Sequence, residues 1–232
     1  MSSRPEIIAH RGAPRARPEN TLPSFLRAIE LGADALELDV HATADGVVVV
    51  HHDPVPRATA GVPALAGRRI ERLSHAELRT FAVADGVGIP TLAEVLEAVA
   101  GRATVYVEIK GCGIEARVVD CIARSAAECA VHSFDHRAAR RVRELAPALP
   151  TGVLLDSYLV DPVAALRAAG ARDLWQQWEQ IDAPLVDAVR SAGGRVVAWT
   201  VNGIADAEAL VALGVGAICS DLPDEMGRAL RR

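Results

Sequence analysis

Residues able to do chemistry stand at the ends of otherwise apolar runs in this 232-residue chain. The run Ile7-Ile8-Ala9 ends in His10-Arg11-Gly12, a second run carries Glu37 and Asp39, and a third ends Glu108-Ile109-Lys110. Side chains alternate along a strand, so Glu37 and Asp39 share one face, as do Glu108 and Lys110. Burying unpaired charge is expensive. An Arg partner would account for any one of these acids, but three converging carboxylates call for a hard divalent cation, Mg2+ or Ca2+. Arg11 and Lys110 add positive charge suited to a phosphoryl group, and a pair of imidazoles suits general acid and base work. Lys110 is the only Lys among 25 basic side chains, which marks a position where a compact ammonium is not exchanged for a guanidinium.

One imidazole is His10; the other must be chosen from the neighbours His51 and His52. The segment Ala44-Asp45-Gly46 followed by the run 47–50 predicts a β-hairpin. With Asp45-Gly46 as the two central turn residues, His52 opposes Asp39. With a four-residue loop at 43–46, His52 opposes Glu37. Both registers bring His52 to the acidic face and leave His51 on the other side, packed or solvated. A slip of one residue would reverse the choice. His41 shares the face of Asp39 in an ideal strand, but there the strand is leaving the barrel, so a ligand role is not expected. His132, one residue before a strand end, is within reach of the site, while His75 and His136 fall in helical contexts and read as surface residues.

The elements that must position these residues alternate along the chain. Strands are expected at 6–9, 35–40, 103–109, 128–133, 152–156, 173–178, 195–200 and 216–220. Helices follow at about 20–31, 91–100, 114–127, 135–146, 161–169, 182–192, 204–213 and 223–231, the first capped by Asn20 or Thr21 and stopped by Gly32. Eight strand–helix units predict an α/β fold, a (β/α)8 TIM barrel whose site lies at the C-terminal strand ends. A doubly wound open sheet is the competitor, but its Gly-rich phosphate turn is missing. The whole chain reads as a single domain with a small insertion at about 54–90, marked by Pro54, Pro56, Gly61, Pro63 and Gly67 and carrying one short helix near 74–80.

Composition narrows the class. Hydrophobic residues make up 50% and charged residues 24%, enough for a sizeable core; aromatics are only 3%, so Ala, Val and Leu must fill it. A formal charge of -5 without a basic stripe argues against nucleic acid as a partner. No apolar run reaches the roughly 20 residues that span a bilayer, and no stable membrane anchor or secretory signal is expected. Four cysteines without a CxxC pair suggest a reduced, cytoplasmic protein. The signatures of P-loop nucleotide binding, serine hydrolysis and zinc proteolysis are missing.

Taken in order, these stretches resemble the glycerophosphodiester phosphodiesterase family. The resemblance is carried by His10-Arg11-Gly12, Pro18-Glu19-Asn20-Thr21, Glu37-Leu38-Asp39-Val40 with Thr43, Asp45-Gly46 and His52-Asp53. It continues through Ile89-Pro90-Thr91-Leu92, Glu108-Ile109-Lys110, Ser133-Phe134, Trp199-Thr200-Val201-Asn202 and Ser220-Asp221. It implies a (β/α)8 barrel in which Glu37, Asp39 and Glu108 bind one divalent cation, Mg2+ or Ca2+. It further implies His10 and His52 as the acid–base pair, Arg11 and Lys110 as phosphate contacts, and Phe134 and Trp199 as an apolar wall beside the substrate. Asn20 and Glu19 would support the site from the first loop, although a helix cap explains Asn20 equally well.

The implied reaction hydrolyses a small-molecule glycerophosphodiester to sn-glycerol 3-phosphate and an alcohol. The substrate's 2-hydroxyl would attack phosphorus, one His taking its proton and the other protonating the leaving alcohol, before water opens the cyclic phosphate. The alternatives are a phosphodiester lyase acting on lysophospholipid-type substrates and a non-catalytic glycerophosphodiester-binding barrel. One departure stands out: where the family usually has Leu and then Arg-Thr after His52-Asp53, this chain has Pro54-Val55-Pro56-Arg57-Ala58-Thr59. The excursion after it is short, which implies an open mouth and broad choice of head group.

Overall fold

Residues 4–56, 65–84 and 86–231 are described by the computed structural model of the chain. The elements run β1 (Glu6–Ala9), α1 (Leu22–Glu30), β2 (Ala35–Ala42), β3 (Val48–Val50), α2 (His75–Leu78), β4 (Ala82–Ala84), β5 (Val87–Gly88) and α3 (Leu92–Val99). They continue with β6 (Thr104–Ile109), α4 (Glu115–Ala123), β7 (Cys129–Ser133), α5 (His136–Leu145), β8 (Thr151–Leu155), α6 (Pro162–Ala169) and β9 (Asp173–Gln177). The last are α7 (Ala183–Ser191), β10 (Arg195–Trp199), α8 (Ile204–Leu213), β11 (Ala217–Ser220) and α9 (Pro223–Leu230).

Eight of these strands pair in parallel in the order β1-β2-β6-β7-β8-β9-β10-β11, and β11 pairs back onto β1, so the sheet closes into the expected barrel. Each barrel strand is followed by a helix that covers its outer face. That is why β2, β8 and β11 are buried at every position, on both faces. Side-chain caps start the helices: Thr21 accepts from the Ser24 amide at α1, Thr91 and Glu94 form a reciprocal box at α3, and Asp161 and Asp182 cap α6 and α7. Thr21, not Asn20, is therefore the cap of α1, which frees Asn20 for another task.

With so few aromatic residues, the barrel interior is filled around Trp175 by small residues together with Ile8, Tyr106 and Leu154. Trp175 packs with Ala35, Ala130, Ala217 and Val197. Gly152 makes room for it, since a Cβ there would stand 2.9 Å from Trp175 Cδ1. Below Trp175 the interior is polar and paired: Arg195 donates to Glu6, to Asp173 and to the Tyr106 hydroxyl.

The hairpin forms, but in neither expected register. Val40 opposes Val50, His41 opposes Val49 and Ala42 opposes Val48. The loop has three residues, 44–46, closed by the Thr43 amide donating to Val47 O and the Gly46 amide to Thr43 O. Gly46 sits at φ +87°, the left-handed residue that a three-residue hairpin loop uses, and its presence moves the register by one. His51, whose amide donates to Asp39 O, is thus the residue opposite Asp39. The inference that the hairpin brings His52 to the acidic face fails, and the alternation cannot be carried on to His52 because β3 ends at Val50.

Within the excursion, Ile70, Leu73, Leu78, Phe81 and Ile89 pack with Val49 in a small apolar cluster of their own. Its helix α2 is capped reciprocally by Ser74 and Glu77. Gly61 and Pro63, and the displaced Arg57 and Thr59, lie outside the described residues. Among the described residues no helix is long and apolar enough to cross a membrane. His136 is half-buried and bonds Leu154 O through Nε2 at 3.0 Å, so it is a packed helix-start residue and not a free surface one.

Candidate active site

The site begins with a backbone irregularity. After β1, Arg11 at φ +54° and Gly12 at φ +88° adopt left-handed conformations. This turn aims the Arg11 amide at Glu37 Oε2, 3.1 Å away, and leaves Arg11 O to accept from the Ser24 hydroxyl and the Asn20 amide. Gly12 is sterically required: a Cβ would fall 2.5 Å from Ser24 Oγ.

Register then assembles the acids. Asp39 on β2 lies beside Glu108 on β6, and Glu108 beside His132 on β7. Asp39, 1% exposed, accepts from Asn20 Nδ2 at 2.8 Å, pairs with Arg11 Nε at 3.1 Å, and has Lys110 Nζ at 3.4 Å. Burial works against its charge, but Arg11, Lys110 and the Asn20 bond together hold its carboxyl below the ordinary range. Glu37 has the opposite balance: burial, with the negative charge of Asp39 and Glu108 beside it, raises its carboxyl well above the usual value. Glu108 is pushed up to about 7 by burial and by Asp39, only partly offset by Lys110 Nζ at 2.7 Å. Lys110 keeps its proton because Glu108 and Asp39 outweigh its own burial.

Glu37 Oε1 and Asp39 Oδ1 are buried without a hydrogen-bond partner. Three carboxylates face two permanent cations, and one donor atom from each of Glu37, Glu108 and His132 lies within 4.8 Å of the other two. Unpartnered oxygens in a cluster with surplus negative charge are what a divalent cation satisfies, so the residues present fit such an ion.

The two candidate imidazoles are mounted alike. His10 Nδ1 lies 2.7 Å from Asp221 Oδ1, and His52 Nδ1 lies 2.9 Å from Asp53 Oδ1. Both side chains are partly exposed. Asp221 is itself fixed by Asn202, which donates to Oδ2 at 2.8 Å and accepts from the Asp221 amide. His52 stands close enough to Asp39 to favour its charge, and its carbonyl accepts from His41 Nε2 at 3.0 Å. His41 therefore braces the loop after β3. His51 is buried, and that burial lowers its pKa.

At the rim Phe134, 42% exposed, meets Trp199 edge to face, with ring centroids 5.4 Å apart, and Lys110 Nζ lies 5.5 Å from the Phe134 centroid. Seven of the nine sequence-selected residues are thereby linked in one contact network; His10 stands apart on Asp221, and His52 acts on the network through the charge of Asp39. Asp221, Asn202 and Asp53 received no role from the sequence, although each stands in a quoted motif beside or after a site residue. A cavity of about 1070 Å³ at the opposite end of the barrel, lined by Glu6, Tyr106, Cys129 and Arg195, includes none of these residues.

Comparison with known proteins gives a consistent picture. The profile of the Glycerophosphoryl diester phosphodiesterase family matches residues 10–225. A protein from Caldanaerobacter subterraneus subsp. tengcongensis named glycerophosphodiester phosphodiesterase is 34% identical over 237 residues, covering 97% of this chain and 98% of its own. The solved structure of an Oleispira antarctica phosphodiesterase in complex with the product sn-glycerol-3-phosphate superposes with a TM-score of 0.90 at 27% identity, over 99% of this chain and 98% of that one. A glycerophosphodiester phosphodiesterase structure from Agrobacterium tumefaciens gives a TM-score of 0.84 at 27% identity, over 97% and 99%.

Proposed function

The chain belongs to the glycerophosphoryl diester phosphodiesterase family and is a phosphoric diester hydrolase, and we propose that it releases sn-glycerol 3-phosphate from glycerophosphodiesters by acid–base catalysis between His10 and His52 at a cation-assisted site. The matched mounting of the two imidazoles carries this reading. Each has Nδ1 on a carboxylate, Asp221 or Asp53, which leaves Nε2 as the nitrogen that exchanges protons with substrate.

In this reading the glycerol 2-hydroxyl attacks phosphorus as one imidazole removes its proton. The other imidazole protonates the departing alcohol oxygen. Water then opens the resulting cyclic phosphate with the two roles exchanged, so both histidines finish in their starting states. Glu37, Asp39 and Glu108 would hold a divalent cation, Mg2+ or Ca2+ by their carboxylate oxygens, which when bound would supply positive charge near the phosphoryl oxygens. Arg11 and Lys110 hold those oxygens, and the Phe134–Trp199 pair borders the organic part of the substrate. The chain acts as one barrel domain with a small insertion at about 54–90. A cytoplasmic setting agrees with the four free cysteines.

The test is release of sn-glycerol 3-phosphate from glycerophosphocholine and glycerophosphoethanolamine in EDTA, Mg2+ or Ca2+, with cyclic glycerophosphate assayed alongside. Cation-dependent release of the open product is expected. A cyclic end product would show a lyase, and no turnover by folded protein with any ion would show a binding barrel.

A further inference from the structure

His132 is unused by the chemistry above, yet it lies in the acidic cluster. It is buried on β7, and neither ring nitrogen has a hydrogen-bond partner, a costly state for an imidazole inside a protein. The ring cannot turn away to find one. It lies flat against Trp175, with centroids 4.1 Å apart and planes within 4°, and Tyr106 meets it edge-on at 6.4 Å. Nε2 lies 3.9 Å from Glu37 Oε1, too far for a hydrogen bond, and that oxygen is also without a partner. Two donors each about 2.1 Å from a shared ion stand about 3.0–3.4 Å apart, so the pair is within about an ångström of ligand spacing.

We propose that His132 is a nitrogen ligand of the cation site, acting with Glu37 and Glu108, and that it tunes the site toward first-row transition ions over Mg2+ and Ca2+, with Mn2+ as the paramagnetic probe. Imidazole is a donor that first-row transition ions accept readily, whereas Mg2+ and Ca2+ take oxygen. The stack on Trp175 holds the ring in place before the ion arrives. The proposal rests on the reading of the acidic cluster as a cation site, but it requires no turnover.

The experiment uses the full chain stripped of metal and loaded with Mn2+ alone, read by electron spin-echo modulation and by calorimetric titration. A directly bound imidazole 14N is expected in the wild type and lost in His132→Gln. Mn2+ affinity should fall by at least about tenfold in that variant, the scale on which even outer-shell partners of metal ligands count, with little change for Mg2+. Bound Mn2+ without a 14N signal, or a signal that survives His132→Gln, overturns the role of His132 and leaves the carboxylate cation site standing. Failure of the folded wild type to bind any ion overturns both.

Discussion

At the scale of single residues, the site is organised by unequal treatment of similar groups. Glu37, Asp39 and Glu108 share a barrel mouth, yet only Asp39 is surrounded by donors and held below the usual carboxylate range. Glu108, at about 7, is protonated in the folded chain under conditions where it ionises when unfolded. An acid whose folded pKa is raised binds more protons folded than unfolded, so its contribution weakens stability as pH rises from about 4.5 to about 7. Glu108→Gln should therefore raise the melting temperature of the cation-free protein at pH 7.5, with an advantage that shrinks toward pH 5. A constant difference across that range would contradict the raised value. His10 and His52 form another matched pair, and His10→Ala and His52→Ala should each lower kcat by about 10²–10⁴-fold while leaving the melting curve near wild type. Near-normal turnover in either variant removes that residue from the mechanism.

At the scale of elements, the site depends on turns more than on strands. The left-handed pair Arg11-Gly12 carries the Arg11 amide to Glu37, and α1 begins where Ser24 closes on that turn. Gly12→Ala would introduce a Cβ 2.5 Å from Ser24 Oγ at a φ that L residues resist. It should cost more than about 1 kcal/mol of stability and lower turnover at the same time, measured by denaturant unfolding and by product release. Ordinary activity with lowered stability would show that the Arg11 turn recovers its geometry without glycine. The hairpin teaches the same lesson. One left-handed Gly46 decides between two- or four-residue loops and the three-residue loop observed, and thereby decides which histidine opposes Asp39.

At the scale of the whole molecule, a barrel with little aromatic content relies on Trp175 to fill its interior and to support His132 from below. Trp175→Ala should destabilise the protein by about 3–5 kcal/mol, read as a lower denaturant midpoint. A loss under about 1 kcal/mol would mean that the small residues around it collapse into the space.

The sequence by itself determined the barrel and which charged side chains gather at one end of it. Eight apolar runs alternating with capped helical segments permit few other packings, and period-2 spacing puts Glu37 with Asp39 and Glu108 with Lys110 whatever lies around them. These are local properties, readable from neighbours in the chain. Tertiary structure alone decided the pairings between distant segments: Asp221 on His10 across 211 positions, Asn20 on Asp39 instead of at the helix cap, and His132 beside Glu37 with no partner of its own. Spacing carries no information about such contacts, because they follow from the closure of β11 onto β1 and from the stagger of neighbouring strands. Which histidine opposes Asp39 belongs with them, since a one-residue change in a turn reverses a face while leaving the surrounding pattern intact.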